Sequence, residues 1–174
     1  MSSFIGDPTR RTSVVERIAQ GSATWIGAAA IVAALVIVAG CSSPPKPTTV
    51  SASLQAGAGV NPDLRRRASP IVVRVYELKS AAAFDGADFV SLYERDQATL
   101  AAEMGAREEF ILRPGETRQW DKTTAPDTKF IGVMAAFRDI ERARWKSIVA
   151  IKPNVKNTLA IRADDIGIEA KAAK

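Results

Sequence analysis

The 174-residue chain contains no histidine and a single cysteine. Without an imidazole there can be no Ser-His-Asp triad and no Cys-His pair. One thiol cannot close an intramolecular disulfide, and alone it cannot supply a tetrahedral zinc site. Aromatic residues are scarce, at 6%. The densest basic run is only Arg65-Arg66-Arg67, with no interleaved aromatics, so the footprint of a nucleic-acid binder is missing. The longest apolar run falls short of the roughly 20 residues that a membrane-spanning helix requires. Asp, Glu, Ser, Lys and Arg chemistry survives the count. No glycine-rich phosphate loop or D-x-D-x-D-G calcium loop accompanies it, so binding is favoured over catalysis and no small-molecule substrate or cofactor is expected.

What is present begins with Arg10, Arg11 and Arg17 in a polar stretch, followed by WIGAAAIVAALVIVA over residues 25–39. This run is sized for the apolar region of a secretory signal peptide. It ends in Val38-Ala39-Gly40-Cys41, which resembles the lipobox of bacterial lipoproteins: a branched apolar residue, two small residues for the signal peptidase, then the thiol that receives lipid. The resemblance implies that the chain's one cysteine becomes the first residue of the mature protein and carries a covalent lipid. Each buried methylene contributes about 0.8 kcal/mol, so two or three acyl chains make a lasting anchor. Ser42, rather than aspartate, follows Cys41, which in the sorting rule of diderm lipoproteins implies the outer membrane, facing the periplasm. Residues 1–40 hold three basic and two acidic side chains, so the mature chain keeps 21 basic against 17 acidic residues, a net +4.

The organisation read from the sequence is a signal peptide at 1–40, a lipidated cysteine with a proline-rich tether at 41–48, and a β-domain at 49–174. Val50, Ala52, Leu54 and Ala56 alternate with polar residues, as in a half-buried strand. Gly57-Ala58-Gly59 then opens an aperiodic loop that runs to Pro70. IVVRVYEL, residues 71–78, is β-branched enough for a central strand covered on both faces. A helical insertion is expected at about 85–104, with Phe89, Leu92 and Leu100 facing the sheet and Gly105 as its stop. Further strands are expected at 109–112, 117–121, 130–138, 145–151, 157–162 and 166–170, with Pro114-Gly115 as a type II turn. Eight strands with one helical insertion point to a mainly β fold, an antiparallel β-sandwich.

Carboxylates come in pairs at Asp85 and Asp88, Glu94 and Asp96, Glu108 and Glu109, and Asp164 and Asp165, and are read as solvated faces and caps. Trp120 and Trp145 fit core positions on strands. A reading from another class is an envelope lipoprotein that binds or processes peptidoglycan or another carbohydrate, which a cleft lined by Trp120 and two carboxylates would favour.

Several blocks together carry a resemblance: the lipobox, Asn61-Pro62-Asp63, SPIVVRVYEL from Ser69, ADFVSLYERD from Ala87, LRPGE from Leu112, and AFRDI from Ala136 with Arg144-Trp145. In their order and spacing they resemble the TssJ family, the SciN/VasD-like outer-membrane lipoproteins of type VI secretion systems. The resemblance implies a transthyretin-like β-sandwich and a non-enzymatic, lipid-anchored periplasmic adaptor. That adaptor ties the inner-membrane TssM protein, and through it TssL, to the outer membrane. It also implies that the loop between the first two strands contacts the periplasmic domain of TssM, which here maps to residues 57–69 and names Val60, Asn61, Pro62, Asp63, Leu64, Arg65 and Arg66 as partner contacts. One departure is that Arg66-Arg67-Ala68 stands where the family commonly has glycine-arginine. Only glycine takes positive φ freely, so the backbone path of this loop is the point to examine.

Overall fold

In the computed structural model, which describes residues 45–173, the alternating segment TVSASLQA forms strand β1 (Thr49–Ala56) and IVVRVYEL forms β2 (Ile71–Leu78). The signal peptide and lipobox expectations, including Val38, Ala39, Gly40, Cys41 and Ser42, lie outside the described residues. After β2 come helices α1 (Ala82–Gly86) and α2 (Phe89–Leu100), a 3-10 turn (Ala101–Glu103), and strands β3 (Met104–Leu112) and β4 (Thr117–Thr123). The chain continues with β5 (Phe130–Ala135), β6 (Lys146–Ala150), β7 (Lys156–Ala163) and β8 (Ile168–Ala172). Among the described residues no helix is long and apolar enough to cross a membrane.

Eight strands form two four-stranded sheets, ordered β4-β1-β7-β8 and β3-β2-β5-β6. Val50, Ala52, Leu54 and Ala56 point into the space between them and meet Ile71, Val73, Val75, Ile131 and Val133 from the facing sheet, all at most 1% exposed. Each such aliphatic side chain contributes about 1.5–3 kcal/mol on full burial. The expectation of a wholly antiparallel sandwich needs one correction. β1 pairs with β7 in parallel, from Thr49 opposite Lys156 to Ala56 opposite Ala163, while the other ladders between strands are antiparallel. Alternation reports which face is buried and carries no information on strand direction.

β2 is covered on both sides, as its composition requires. Its outward residues Tyr76 and Leu78, with Met134 of β5, pack under Phe84 of α1 and Leu92 and Leu100 of α2. Gly132 of β5 leaves room for this layer. A Cβ there would stand 2.8 Å from Leu78 Cδ1 and 3.0 Å from Phe84 Cε2. Lys146 fastens the layer from β6, its Nζ donating to the carbonyls of Phe84, Asp85 and Ala87 at 3.1, 2.5 and 2.8 Å.

The helical insertion differs in detail from its expectation. It begins at Ala82 rather than near 85, and Asp88 caps α2 by accepting from Ser91 N at 2.9 Å. α2 is kinked at Arg95 (φ −138°, ψ 34°), where Arg74 of β2 donates to the carbonyls of Leu92 and Tyr93 at 3.3 and 2.6 Å. The helix stops at Ala101, with φ 43°, and Gly105 already belongs to β3. β3 therefore starts five residues earlier than the expected 109, because its alternating half-burial continues back to Met104. The turn at Pro114-Gly115 has the expected type II signature: Gly115 has φ +78°, and Glu116 N donates to Arg113 O at 2.9 Å. Thr48, expected as the last residue of the tether, already belongs to the folded domain. Thr48 is buried, with its carbonyl accepting from Thr124 N at 3.0 Å and its hydroxyl from Asn154 N at 2.8 Å.

Candidate partner-binding site

The sandwich has two unlike ends. At one, the chain enters through Thr48, beside the 124–128 and 151–155 connections. At the other, the 57–70 loop, the 113–116 turn, the 136–145 segment and the 164–167 turn gather. The 57–70 loop has no regular element, as expected, yet its backbone is tightly held. Gly57 N donates to Ala163 O at 2.7 Å, Asn61 N to Asp165 O at 3.0 Å and Ser69 N to Val60 O at 3.0 Å. A Cβ on Gly59 would lie 2.5 Å from Asp165 Oδ1, so any other residue here would have to turn the Asp165 side chain aside.

The residues expected to contact a partner divide into two groups. Val60 is fully buried in the intersheet core and Asn61 is 5% exposed, so burial corrects the expectation that these two side chains are partner contacts. Val60 is drawn in as a core aliphatic. Asn61, at φ 51°, accepts from Arg138 N at 2.8 Å and donates to Pro70 O at 2.9 Å. Pro62 and Asp63 are half-buried, while Leu64, Arg65 and Arg66 are exposed, Leu64 as fully as in an extended chain at 106%.

Asp63 shapes that exposed tip. Its Oδ1 accepts from Arg65 N at 2.8 Å and Arg67 N at 2.9 Å, and its Oδ2 pairs with the Arg67 guanidinium at 2.7 Å. These bonds, the Arg67 main-chain N–H foremost and then its guanidinium, hold the Asp63 carboxyl below the usual carboxylate range. The turn sets Arg66 at φ 59°, so an arginine occupies the left-handed backbone for which glycine is best suited.

Beside the tip lies a concavity of about 1030 Å³ whose far wall is Phe137, Arg138, Asp139 and Arg142, floored by Asp165 and Ile166. These residues were missed as site residues, since AFRDI reads as the end of a strand. β5 in fact stops at Ala135, and the charge-rich, mixed-sign RDIERAR from Arg138, with no apolar period, is the signal that could have marked a loop. Arg144 N donates to Ile166 O and Ile168 N to Arg144 O, both at 2.9 Å, which ties this segment to the β7–β8 turn.

Most of the other chemistry candidates are engaged internally, whereas Asp85 and Glu94 are exposed at the surface. Trp120 is 5% exposed and donates from its indole nitrogen to Glu108 at 3.0 Å, with Lys122 on the same carboxylate at 2.6 Å, so it offers no stacking face to a sugar. Trp145 is half-buried, edge-on to Phe89 at 5.4 Å between ring centroids. Glu109 binds Arg74 at 2.7 Å and Asp96 binds Arg107 at 2.5 Å. Asp164 binds Arg162 at 2.8 Å. Among the described residues no group of three His, Cys, Asp or Glu side chains could hold a metal ion.

Similarity to known proteins agrees with this architecture. A family described as type VI secretion lipoprotein, VasD, EvfM, TssJ matches residues 48–166. The crystal structure of the T6SS lipoprotein TssJ1 from Pseudomonas aeruginosa is 34% identical, with a TM-score of 0.71 over 74% of this chain and 98% of that one. Serratia marcescens Lip, described as a membrane bound component of the type VI secretion system, is 26% identical, with a TM-score of 0.66 over 74% of this chain and 97% of that one. A chain of the structure described as the T6SS protein TssM C-terminal domain from EAEC shares the fold at 23% identity and a TM-score of 0.57, covering 72% of this chain and 98% of that one. No curated protein matches the chain. With the family matching from Thr48 to Ile166 and TssJ1 alike in sequence as well as in fold, the chain belongs to the TssJ family of type VI secretion lipoproteins.

Proposed function

We propose that this lipoprotein is a non-enzymatic adaptor that tethers the TssM/TssL membrane complex of a type VI secretion system to the outer membrane. Lipid on Cys41 holds it there, Ser42 directs it there, and the tip of the 57–70 loop (Pro62, Asp63, Leu64, Arg65 and Arg66) meets the periplasmic domain of TssM. The observation that carries the reading is the polarity of the domain about β1. The lipid-proximal chain joins the domain at Thr48, and Leu64 stands exposed at the opposite end. Eight residues at about 3.3 Å each separate the two ends by roughly 25 Å, so the tip faces away from the point where the chain is anchored. The TssM partner draws support from the fold shared with a chain in the EAEC TssM structure. An exposed leucine in a basic rim, on a backbone already fixed by Asp63 and Asn61, suits recognition because little ordering entropy remains to be lost on association.

The test is calorimetric titration of the full-length lipidated protein, in detergent micelles, with the cognate TssM periplasmic domain. Leu64→Asp is expected to weaken binding at least tenfold, about 1.4 kcal/mol, with an unchanged thermal midpoint. Equal affinity for the variant and the wild type would refute the assignment of the tip as the contact.

A further inference from the structure

The concavity beside the loop tip carries unbalanced charge. Five arginines line it, at 65, 66, 67, 138 and 142, against three aspartates, at 63, 139 and 165. Two of the arginines are committed: Arg67 to Asp63 at 2.7 Å and Arg142 to Asp139 at 3.4 Å. Among the described residues Arg65, Arg66 and Arg138 have no carboxylate partner, all three are exposed, and they come from two different loops locked together by Asn61. Asp165 lies packed against Gly59. Guanidinium groups bind carboxylates in paired, planar hydrogen bonds, and a cluster of them held on fixed backbone favours an acidic ligand. Leu64 and Ile166, 106% and 40% exposed, add apolar contact at the rim.

We propose that this groove takes an extended, carboxylate-bearing segment of the protein partner, with Arg65, Arg66 and Arg138 meeting its Asp or Glu side chains and Leu64 covering a neighbouring apolar residue. This rests on the adaptor reading and adds to it the chemistry of the partner and the part played by Arg138. Protein is preferred to anionic lipid because the groove lies at the end of β1 remote from Thr48, where the anchored chain joins the domain.

The experiment compares wild type, Arg65→Glu/Arg138→Glu and Leu64→Asp, each full-length and lipidated in detergent micelles, titrated with the cognate TssM periplasmic domain at low and high salt. The arginine variant is expected to lose at least tenfold in affinity at low salt, and most of the salt dependence with it, since exposed charges are screened beyond about 8 Å at physiological ionic strength. Its thermal midpoint should match wild type, because neither side chain is in an internal ion pair. If affinity and salt dependence survive the reversal while Leu64→Asp still abolishes binding, the adaptor reading stands and the acidic-segment inference falls. If neither variant matters, both fall. If the arginine variant binds the TssM domain as wild type does but loses a binding of soluble glycerophosphoglycerol, the headgroup of an anionic phospholipid, that wild type shows in the same micelles, the groove reads lipid and the proposal is overturned.

Discussion

The side-chain oxygen of Asn61 accepts the main-chain N–H of Arg138 at 2.8 Å, joining two loops that lie 77 residues apart in the chain. Asn61 thereby acts as a spacer that fixes the width of the groove, and it tolerates its φ of 51° better than most residues. Asn61→Ala removes both side-chain bonds and strains the backbone. It is expected to cost roughly 2–3 kcal/mol in urea unfolding. Arg138→Ala keeps the main-chain donor and should change stability by no more than about 0.5 kcal/mol. A loss of similar size in both variants would show that the Arg138 side chain, rather than its backbone, holds the loops together.

Gly132 makes a second prediction. Its missing side chain is the space into which Leu78 and the Phe84 ring pack. Gly132→Ala should cost about 1–3 kcal/mol by overpacking, and Phe84→Leu in the same chain should recover part of it. Denaturant midpoints of the single and double variants measure both.

Asp96 is a carboxylate 7% exposed, and Arg107 pairs with it at 2.5 Å while Tyr76 donates to it at 3.3 Å. Asp96→Asn should destabilise by roughly 2 kcal/mol. That is less than the roughly 3–5 kcal/mol for breaking a fully buried pair, because Arg107 is 38% exposed and solvent screens it. Amide exchange in the second half of α2 should quicken as well, since the kink at Arg95 is held at this point.

Burial pushes the Tyr76 phenol up to about 12 from an ordinary value of 10.0. Between those two pH values the unfolded chain has released this proton and the folded chain retains it, so stability falls as pH rises, by at most about 1.4 kcal/mol per pH unit. Below pH 10 the contribution is complete. Tyr76→Phe should flatten this alkaline slope, measured by urea unfolding across the range. An unchanged slope would mean that other groups set it.

The proposed anchor makes a fifth prediction. Cys41→Ser should abolish labelling by a palmitate analogue and leave an uncleaved or mislocalised precursor, because the lipid is the only membrane attachment foreseen for the mature chain. Ser42→Asp should keep the label and shift the protein from outer to inner membrane in a sucrose gradient. Wild-type protein found wholly in the inner membrane would contradict the sorting role.

Much of this fold was legible because its signals are local. Val50 to Ala56 alternate and are buried in alternation, IVVRVYEL is apolar and covered on both faces, and Pro114-Gly115 makes the turn its residues require. What was hidden depends on distant partners. The parallel pairing of β1 with β7 joins residues over a hundred positions apart. Gly105 reads as a helix stop and Ala106, Arg107 and Glu108 as helical or neutral by propensity, and they become a strand because β2 offers a ladder from Leu78 to Ile71. Arg65 and Leu64 could be read as exposed from an aperiodic stretch, but the same aperiodicity made Val60 and Asn61 look alike. Only the core beneath Val60, and the amide of Arg138 opposite Asn61, separate structural residues from accessible ones.

The placement of β1 between β7 and β4 has a mechanical consequence. If the anchor pulls at Thr48 and a partner pulls beyond Ala56, tension runs along the axis of this one strand. Its ladders on both sides, parallel to β7 and antiparallel to β4, lie along that axis, so they resist in shear and must slip together rather than open one hydrogen bond at a time. A pull on β8, an edge strand, across its single ladder would meet the weaker, unzipping geometry. A strand that links the two ends of the domain is thus also well placed to bear a load between an anchor at Thr48 and a partner beyond Ala56.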